Sequence, residues 1–251
     1  MKKFIIFRTD RLGDFLITTN IIKKIKETYK KSHITVVGSP LNKILLKNYK
    51  KIDKTIIFNK KETFIKKIRI LNLLRKSNYY AAFALDGKSF SSLITLFINS
   101  KYKLGISYKF NILNNIYWSK PNLLYNFLVF SYCEYFTSKK NLKKVEHLPS
   151  IIIKLANRLG FQLNSKQPYY FPISKKNKVN FKKIYSKKIK SRYVLIHFDE
   201  KWNDILDINS NLYEVISGFQ NKIKMKIIIT SNNNFFDYYT KFKKKASLNK
   251  N

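Results

Sequence analysis

The sequence predicts an α/β fold built on a mostly parallel sheet. Three observations carry this. Short apolar, β-branched runs alternate with longer segments whose apolar residues recur at helical spacing. The alternation runs through the first 160 or so residues, breaks over a Lys-, Asn- and Ser-rich stretch, and then restarts. The turns after several strand-type runs carry Gly, Asp or both, as strand-to-helix connections do.

Taken in order, Phe4–Phe7 reads as a strand and residues 8–13 as a loop. From Phe15 to Tyr29 the positions Thr18, Ile21, Ile22, Ile25 and Tyr29 mark a helix. His33–Gly38 is a second strand closed by Gly38-Ser39-Pro40, Leu41–Tyr49 a helix and Thr55–Phe58 a third strand. Glu62–Lys76 is helical, with Phe64, Ile65, Ile68, Leu71 and either Leu74 or Leu73 expected on one face, toward the core. Tyr79–Leu85 is a fourth strand ending at Asp86-Gly87, Ser89–Asn99 an apolar helix and Lys103–Tyr108 a fifth strand. A helix is expected over Asn122–Phe136, and another over Leu148–Leu159 with Gly160 as its stop. The polar stretch follows, and then strand Tyr193–Phe198, helix Asn211–Ile223 and strand Met225–Thr230. The expected domains are therefore 1–164, a linker over 165–190, and 191–251.

Composition narrows the function classes. Hydrophobic residues make up 45% of the chain, enough for a packed core and too many for a disordered protein. The lone cysteine, Cys133, excludes an internal disulfide, fits a reducing cytoplasm and reads as core packing. The opening apolar run stops at Arg8, which is too short for a signal peptide, and no apolar segment reaches the length of a membrane span. Net charge is +37, which would attract nucleic acid, anionic lipid or phosphorylated substrates. The positive residues are overwhelmingly Lys, spread through nearly every helix, whereas bidentate recognition of phosphates and bases recruits Arg. The excess therefore reads as compositional bias, of the kind an AT-rich genome produces, and no specific nucleic-acid partner is expected.

In open α/β sheets ligands collect where strand ends meet helix starts. Three such loops hold polar residues. The first is Arg8-Thr9-Asp10-Arg11-Leu12-Gly13-Asp14, where Gly13 can admit a ligand to the backbone and Asp14 is either a general base or a plain N-cap of the following helix. The second, Asp86-Gly87-Lys88-Ser89, also reads as a turn with a cap. The third, His197-Phe198-Asp199-Glu200-Lys201-Trp202, offers Lys201 as a point charge for a phosphate. His33, His147 and His197 have no metal-ligand spacing, and Walker, G-x-S-x-G and G-x-G-x-x-G patterns are missing from the sequence.

Together these segments resemble glycosyltransferase family 9, which includes the ADP-heptose:lipopolysaccharide heptosyltransferases. Phe7 to Asp14, followed by Thr18-Thr19, Ile22, Lys26 and Tyr29, is similar to the family's opening, with Asn20 and Lys30 standing where it usually has Pro. Tyr79–Ser91, Leu104-Gly105, His147–Gly160 and Tyr193–Trp202 match later family segments in the right order. The resemblance implies a GT-B architecture: a Rossmann-like acceptor domain and a second Rossmann-like domain for a nucleotide-sugar. It implies inverting, metal-independent transfer of a heptose or related sugar, from a donor such as ADP-heptose, to a lipopolysaccharide or other surface-glycan acceptor. No cofactor beyond the co-substrate is implied, and peripheral contact with the inner membrane is. Asp14 matches the family's base, Lys201 a position near the donor phosphates, and Arg8, Arg11, Gly13 and Asp86 the acceptor side. The family's later Gly- and His-containing nucleotide segment has no counterpart before residue 251, so the second domain is expected to be incomplete and activity to depend on it. A basic nucleic-acid- or anion-binding protein, and a sugar-binding pseudoenzyme, are the alternatives.

Overall fold

The computed structural model describes residues 1–59, 61–113, 116–120, 129–137, 147–164, 169–170, 173–185, 193–198, 218 and 226–231. The chain divides into two compact units, Met1–Ser174 and Lys175–Asn251.

The first unit is organised around one sheet. Its elements are β1 (Lys3–Arg8), α1 (Leu12–Thr28), β2 (His33–Gly38), α2 (Lys43–Asn48), β3 (Lys54–Ile57), α3 (Phe64–Arg75), β4 (Tyr79–Ala84), α4 (Ser89–Phe97), β5 (Ser100–Leu113), β6 (Ile116–Lys120), β7 (Tyr132–Thr137) and α5 (Leu148–Asn157). Strands run in the order β3-β2-β1-β4-β5-β6, with β7 also paired to β5. All pairings are parallel except β5 with β6. After β3 the chain crosses back to the far side of β1 to lay down β4, so the direction of winding reverses between β1 and β4. That reversal opens a crevice at the carboxyl ends of these two strands.

The core explains why β1 is central. Phe4, Ile5, Ile6 and Phe7 are all fully buried, the unbroken apolar run of a parallel strand covered on both faces. Alternation along the strand splits them between two layers. Phe4 and Ile6 pack with Phe15, Ile22, Ile25, Leu46, Ile151 and Leu155, the layer of α1, α2 and α5. Ile5 and Phe7 pack with Leu74, Ile94 and Ile98, the layer of α3 and α4. Each such buried side chain is worth roughly 1.5–3 kcal/mol.

Gly38 ends β2 for a steric reason: a Cβ there would overlap the side chains of Leu46 and Asn42. Its absence lets Asn42 sit directly against the end of the sheet, where it becomes part of the site.

Three expectations need correction. Of the stretch Asn122–Phe136 expected to be helical, Val129 is helical, the end from Tyr132 lies in a strand, β7 (Tyr132–Thr137), and residues 122–128 lie outside the described residues. Short aromatic runs carry no period that separates helix from strand, and pairing with β5 decides the matter. The fifth strand is longer than Lys103–Tyr108 because it continues into an antiparallel pairing with β6. In α3 only Leu74 of the expected core face is fully buried, while Phe64, Ile65 and Ile68 are exposed. Cys133 lies half-buried on β7, against the small cluster of Ala84, Val129 and Phe130.

The second unit contains α6 (Lys175–Tyr185) and the parallel pair β8 (Tyr193–Phe198) and β9 (Lys226–Ser231). His197 Nδ1 and Thr230 Oγ1 are hydrogen-bonded across this pair at 2.9 Å. The helix expected over residues 211–223, apart from Gly218, lies outside the described residues, as does Lys201.

Candidate active site

The loops after β1 and β4 meet at the winding reversal. Phe7 lies beside Ala84 in the sheet, so the chain leaves both strands at the same level. From the first strand come Arg8, Thr9, Asp10 and, one turn into α1, Asp14. From the second come Asp86, Lys88 and, on α4, Ser91.

Helix α1 begins at Leu12, with Arg11 at its N-cap and no side-chain hydrogen bond closing the cap. Asp14 is therefore not the cap, which corrects the simpler of its two sequence readings. It stands in the first turn, where a carboxylate is favoured by the helix dipole. The first backbone N–H groups of α1 have no acceptor within the helix itself. Arg11, Leu12 and Gly13 are exposed there, and a Cβ on Gly13 would meet nothing within 4 Å.

Arg8 lies under this turn, wholly buried. Its Nε donates to the backbone carbonyl of Asp14 at 2.9 Å, and its Nη1 donates to the carbonyl of Leu85. The same Nη1 lies 3.2 Å from the Asp10 carboxylate, while Nη2 faces Asp14 Oδ1 at 3.7 Å. One guanidinium thus anchors the first turn of α1, reaches β4 and neutralises two carboxylates. A buried Arg is held only by such pairing, because an unpaired buried charge is costly. Among the described residues Arg8 Nη2 and Asp10 Oδ1 are buried without a hydrogen-bond partner. Burial pushes the Asp10 carboxyl up to about 6; Arg8 pulls it down, and the charges of Asp14 and Asp86 push it further up.

Asp86 has the opposite surroundings. It is 2% exposed and accepts from Thr9 N at 3.2 Å, Thr9 Oγ1 at 2.5 Å, Ser91 Oγ at 2.7 Å and Lys88 N at 3.2 Å. Gly87 takes φ +60°, the left-handed conformation that favours glycine, at the turn that brings the Lys88 N–H back to Asp86. Lys88 Nζ then crosses to Thr9, donating to its carbonyl at 2.6 Å and its hydroxyl at 2.9 Å. Asn42 closes the third side: Nδ2 donates to the Arg8 carbonyl at 2.7 Å, and its Oδ1 accepts from Ser39 N at 2.8 Å.

The first-unit residues expected to form the site are thus gathered at one end of the sheet. Arg8 and Asp86 are buried there, Arg11 and Gly13 are exposed, and the Asp14 side chain is 26% exposed. Thr9, Asp10, Asn42, Lys88 and Ser91 join them. Sequence reading includes Thr9, Asp10 and Lys88 only as members of the polar loops and gives Asn42 and Ser91 no role, because the contacts of all five depend on β2 and β4 lying beside β1. The one available signal is a second carboxylate, Asp10, in the loop already singled out. A separate cavity of about 310 Å³, lined by Lys23, Tyr49, Lys50, Lys51, Tyr169 and Tyr170, includes none of the strand-end residues. No group of His, Cys, Asp and Glu suited to a metal ion occurs among the described residues.

Comparison with solved structures shows the fold, which is that of GT-B glycosyltransferases and of epimerases. The chain is similar to a glycosyl transferase family 9 structure from Veillonella parvula, with a TM-score of 0.70 and 14% identity, over 97% of this chain and 66% of that one. It is similar to the ADP-heptose LPS heptosyltransferase II of E. coli (TM-score 0.62, 14% identity, 96% and 68% covered) and to the E. coli heptosyltransferase WaaC with ADP-2-deoxy-2-fluoro heptose (0.61, 13%, 96% and 72%). A UDP-GlcNAc 2-epimerase from Methanocaldococcus jannaschii follows at 0.55 and 15%, with 100% of this chain and 71% of that one covered. The chain spans about two thirds of the length of these structures. No protein-family profile matches the sequence, and a search of curated proteins finds no match either.

Proposed function

We propose that the protein is a glycosyltransferase that moves a heptose or related sugar from a nucleotide-sugar such as ADP-heptose to the hydroxyl of a lipid-linked or polysaccharide acceptor. One observation carries this reading: a partly exposed carboxylate, Asp14, stands at the winding reversal of a GT-B-type sheet, beside a buried Arg. Asp14 takes the proton from the acceptor hydroxyl as its oxygen attacks the anomeric carbon, and the nucleoside diphosphate leaves with the electron pair of the broken bond. Attack from the side opposite the leaving group inverts the anomeric centre. The co-substrate supplies all the driving chemistry, so no redox cofactor is required.

The burial of the other residues sorts their roles. Arg8 and Asp86 hold the two loops in register and act as positioning residues. Arg11 and the first turn of α1 at Gly13 are the groups available to an anionic acceptor. Lys201 is assigned to the leaving diphosphate on the resemblance alone. The GT-B-type fold does not favour the nucleic-acid-binding alternative. The transfer assay separates the sugar-binding pseudoenzyme from the enzyme.

The test is transfer of labelled sugar from ADP-heptose and related donors to lipopolysaccharide core acceptors, by the wild-type chain and by Asp14→Asn. Transfer that Asp14→Asn abolishes supports the assignment. Equal transfer by both removes Asp14 as the base. Saturable acceptor binding with no transfer from any donor establishes the pseudoenzyme.

A further inference from the structure

The strand-end site sets two carboxylates against one guanidinium. Arg8 is wholly buried, so its charge is held only by what pairs with it. Its Nε donates to the Asp14 carbonyl, and Nη1 is shared between the Leu85 carbonyl and the Asp10 carboxylate, 3.2 Å away. Nη2 is left facing Asp14 Oδ1 at 3.7 Å, too far for a hydrogen bond. Among the described residues Nη2 and the other oxygen of Asp10, Oδ1, are both buried without a hydrogen-bond partner. An unmet donor and an unmet acceptor in one cluster lower stability. Such a defect beside a ligand crevice points to function rather than packing.

The other charged groups around the cluster are engaged elsewhere. Asp86, in the loop after β4, has donors from Thr9, Ser91 and Lys88, and Lys88 Nζ is bound to Thr9. Asn42, at the start of α2, is neutral and donates to the Arg8 carbonyl. Arg11 is exposed. Among the described residues Asp10 and Asp14 are the two carboxylates paired with Arg8, and Asp10 stands closer. A carboxylate locked to an Arg by hydrogen bonds is a poor base, because the pairing favours its charged form. We propose that Asp10 is a positioning residue: by occupying Arg8 it keeps the guanidinium from closing onto Asp14, and so leaves the Asp14 carboxylate open to a substrate hydroxyl. With Asp10 uncharged, the unmet Nη2 closes on Asp14 Oδ1 and the contact contracts to a hydrogen bond. The part played by Asp14 rests on the transferase reading; the sharing of Arg8 between two carboxylates does not.

Two measurements test this, and the first needs no transfer. A crystal structure of Asp10→Asn at about pH 8 is expected to place Arg8 Nη2 and Asp14 Oδ1 at ~2.8 Å. The wild type should show the same contraction at about pH 5, where Asp10 is mostly protonated, and the open contact at about pH 8. An unchanged distance in Asp10→Asn overturns the proposal, whatever the chain transfers. Should that variant fail to fold, the wild type at the two pH values decides the question in the same way. The second measurement follows kcat/KM for sugar transfer between those pH values. The wild-type rate is expected to fall ~10-fold as pH drops through about 6, whereas Asp10→Asn stays near the lower rate throughout. A merely structural Asp10 would scale the profile and leave its step in place, and that result overturns the proposal. So does transfer by Asp10→Asn at the full wild-type rate. If neither chain transfers while the contact still contracts, the transferase reading fails and the sharing of Arg8 stands.

Discussion

The loops that follow β1 and β4 end side by side and each carries an aspartate, yet the two carboxylates live differently. Asp86 is sealed in and accepts hydrogen bonds from both loops and from α4. Asp14 is partly open, and the guanidinium facing it stands beyond hydrogen-bonding distance. A carboxylate saturated with donors is a staple; one held near a single cation retains oxygens for a substrate proton. The same residue type beside adjacent strands thus serves structure at Asp86, while at Asp14 it stays open to the role proposed for it.

The sharpest way to break this contrast is to exchange the phenotypes. Asp14→Asn is expected to lower transfer by ~10²–10⁴-fold, the usual worth of a positioned base, while thermal unfolding moves little. Asp86→Ala is expected to do the reverse first, losing roughly 2–4 kcal/mol in denaturant unfolding, because Thr9 and Ser91 are left with buried, unpaired donors. A stable Asp86→Ala that has lost transfer, or an unstable Asp14→Asn, would invert the assignment.

Asp10 sharpens the comparison through pH. Its folded value of about 6 lies above the ordinary carboxylate range, chiefly through burial. The folded state therefore binds more protons than the unfolded one between about pH 4 and 6. Stability from this group is present below that window and lost as pH rises through it. Asp10→Asn removes the loss, so at pH 8 it should exceed wild type by roughly 1–3 kcal/mol, with the advantage gone at pH 3. Unfolding free energies at the two pH values decide it. The smallest expected effect is at Gly13, where an added Cβ meets nothing. Gly13→Ala should raise stability by at most ~0.4–1 kcal/mol. A tenfold fall in transfer from that stable variant would show that a ligand approaches the backbone there.

Much of this was legible in the residues. The apolar runs of β1, β2 and β4, with helical spacing between them, predict a parallel sheet, and the motif Arg8 to Asp14 directs attention to the strand end where β1 and β4 meet. Segments whose partners lie in tertiary structure were not legible. β7 is an aromatic run with no period of its own, and β6 is recognisable only once it pairs with an extended β5. At the site, Asp14 and Asp86 look alike in sequence, each an aspartate at the start of a helix. Only the adjacency of β1 and β4 separates them, by giving Asp86 the Thr9 donors and Asp14 the guanidinium. The exposed face of α3 fails for a related reason: periodicity shows which residues share a side, not how far the sheet reaches beneath them.

The bond from Thr9 to Asp86 spans 77 residues. Seen from a ribosome, the segment from Arg8 to Asp14 gains its own Arg8 bonds and its Asn42 contact early, but its tie to Asp86 waits until β4 emerges. At roughly 5–20 residues per second, that wait is several seconds, during which β1 has only β2 and β3 as neighbours. The segment bearing Asp14 is then tied to β4 by one of the more distant closures in its domain, which slows folding. Its tie to the second strand forms only in the step that inserts β4 beside β1, so a chain stalled before that step lacks the Thr9–Asp86 bond although Arg8 already holds Asp14.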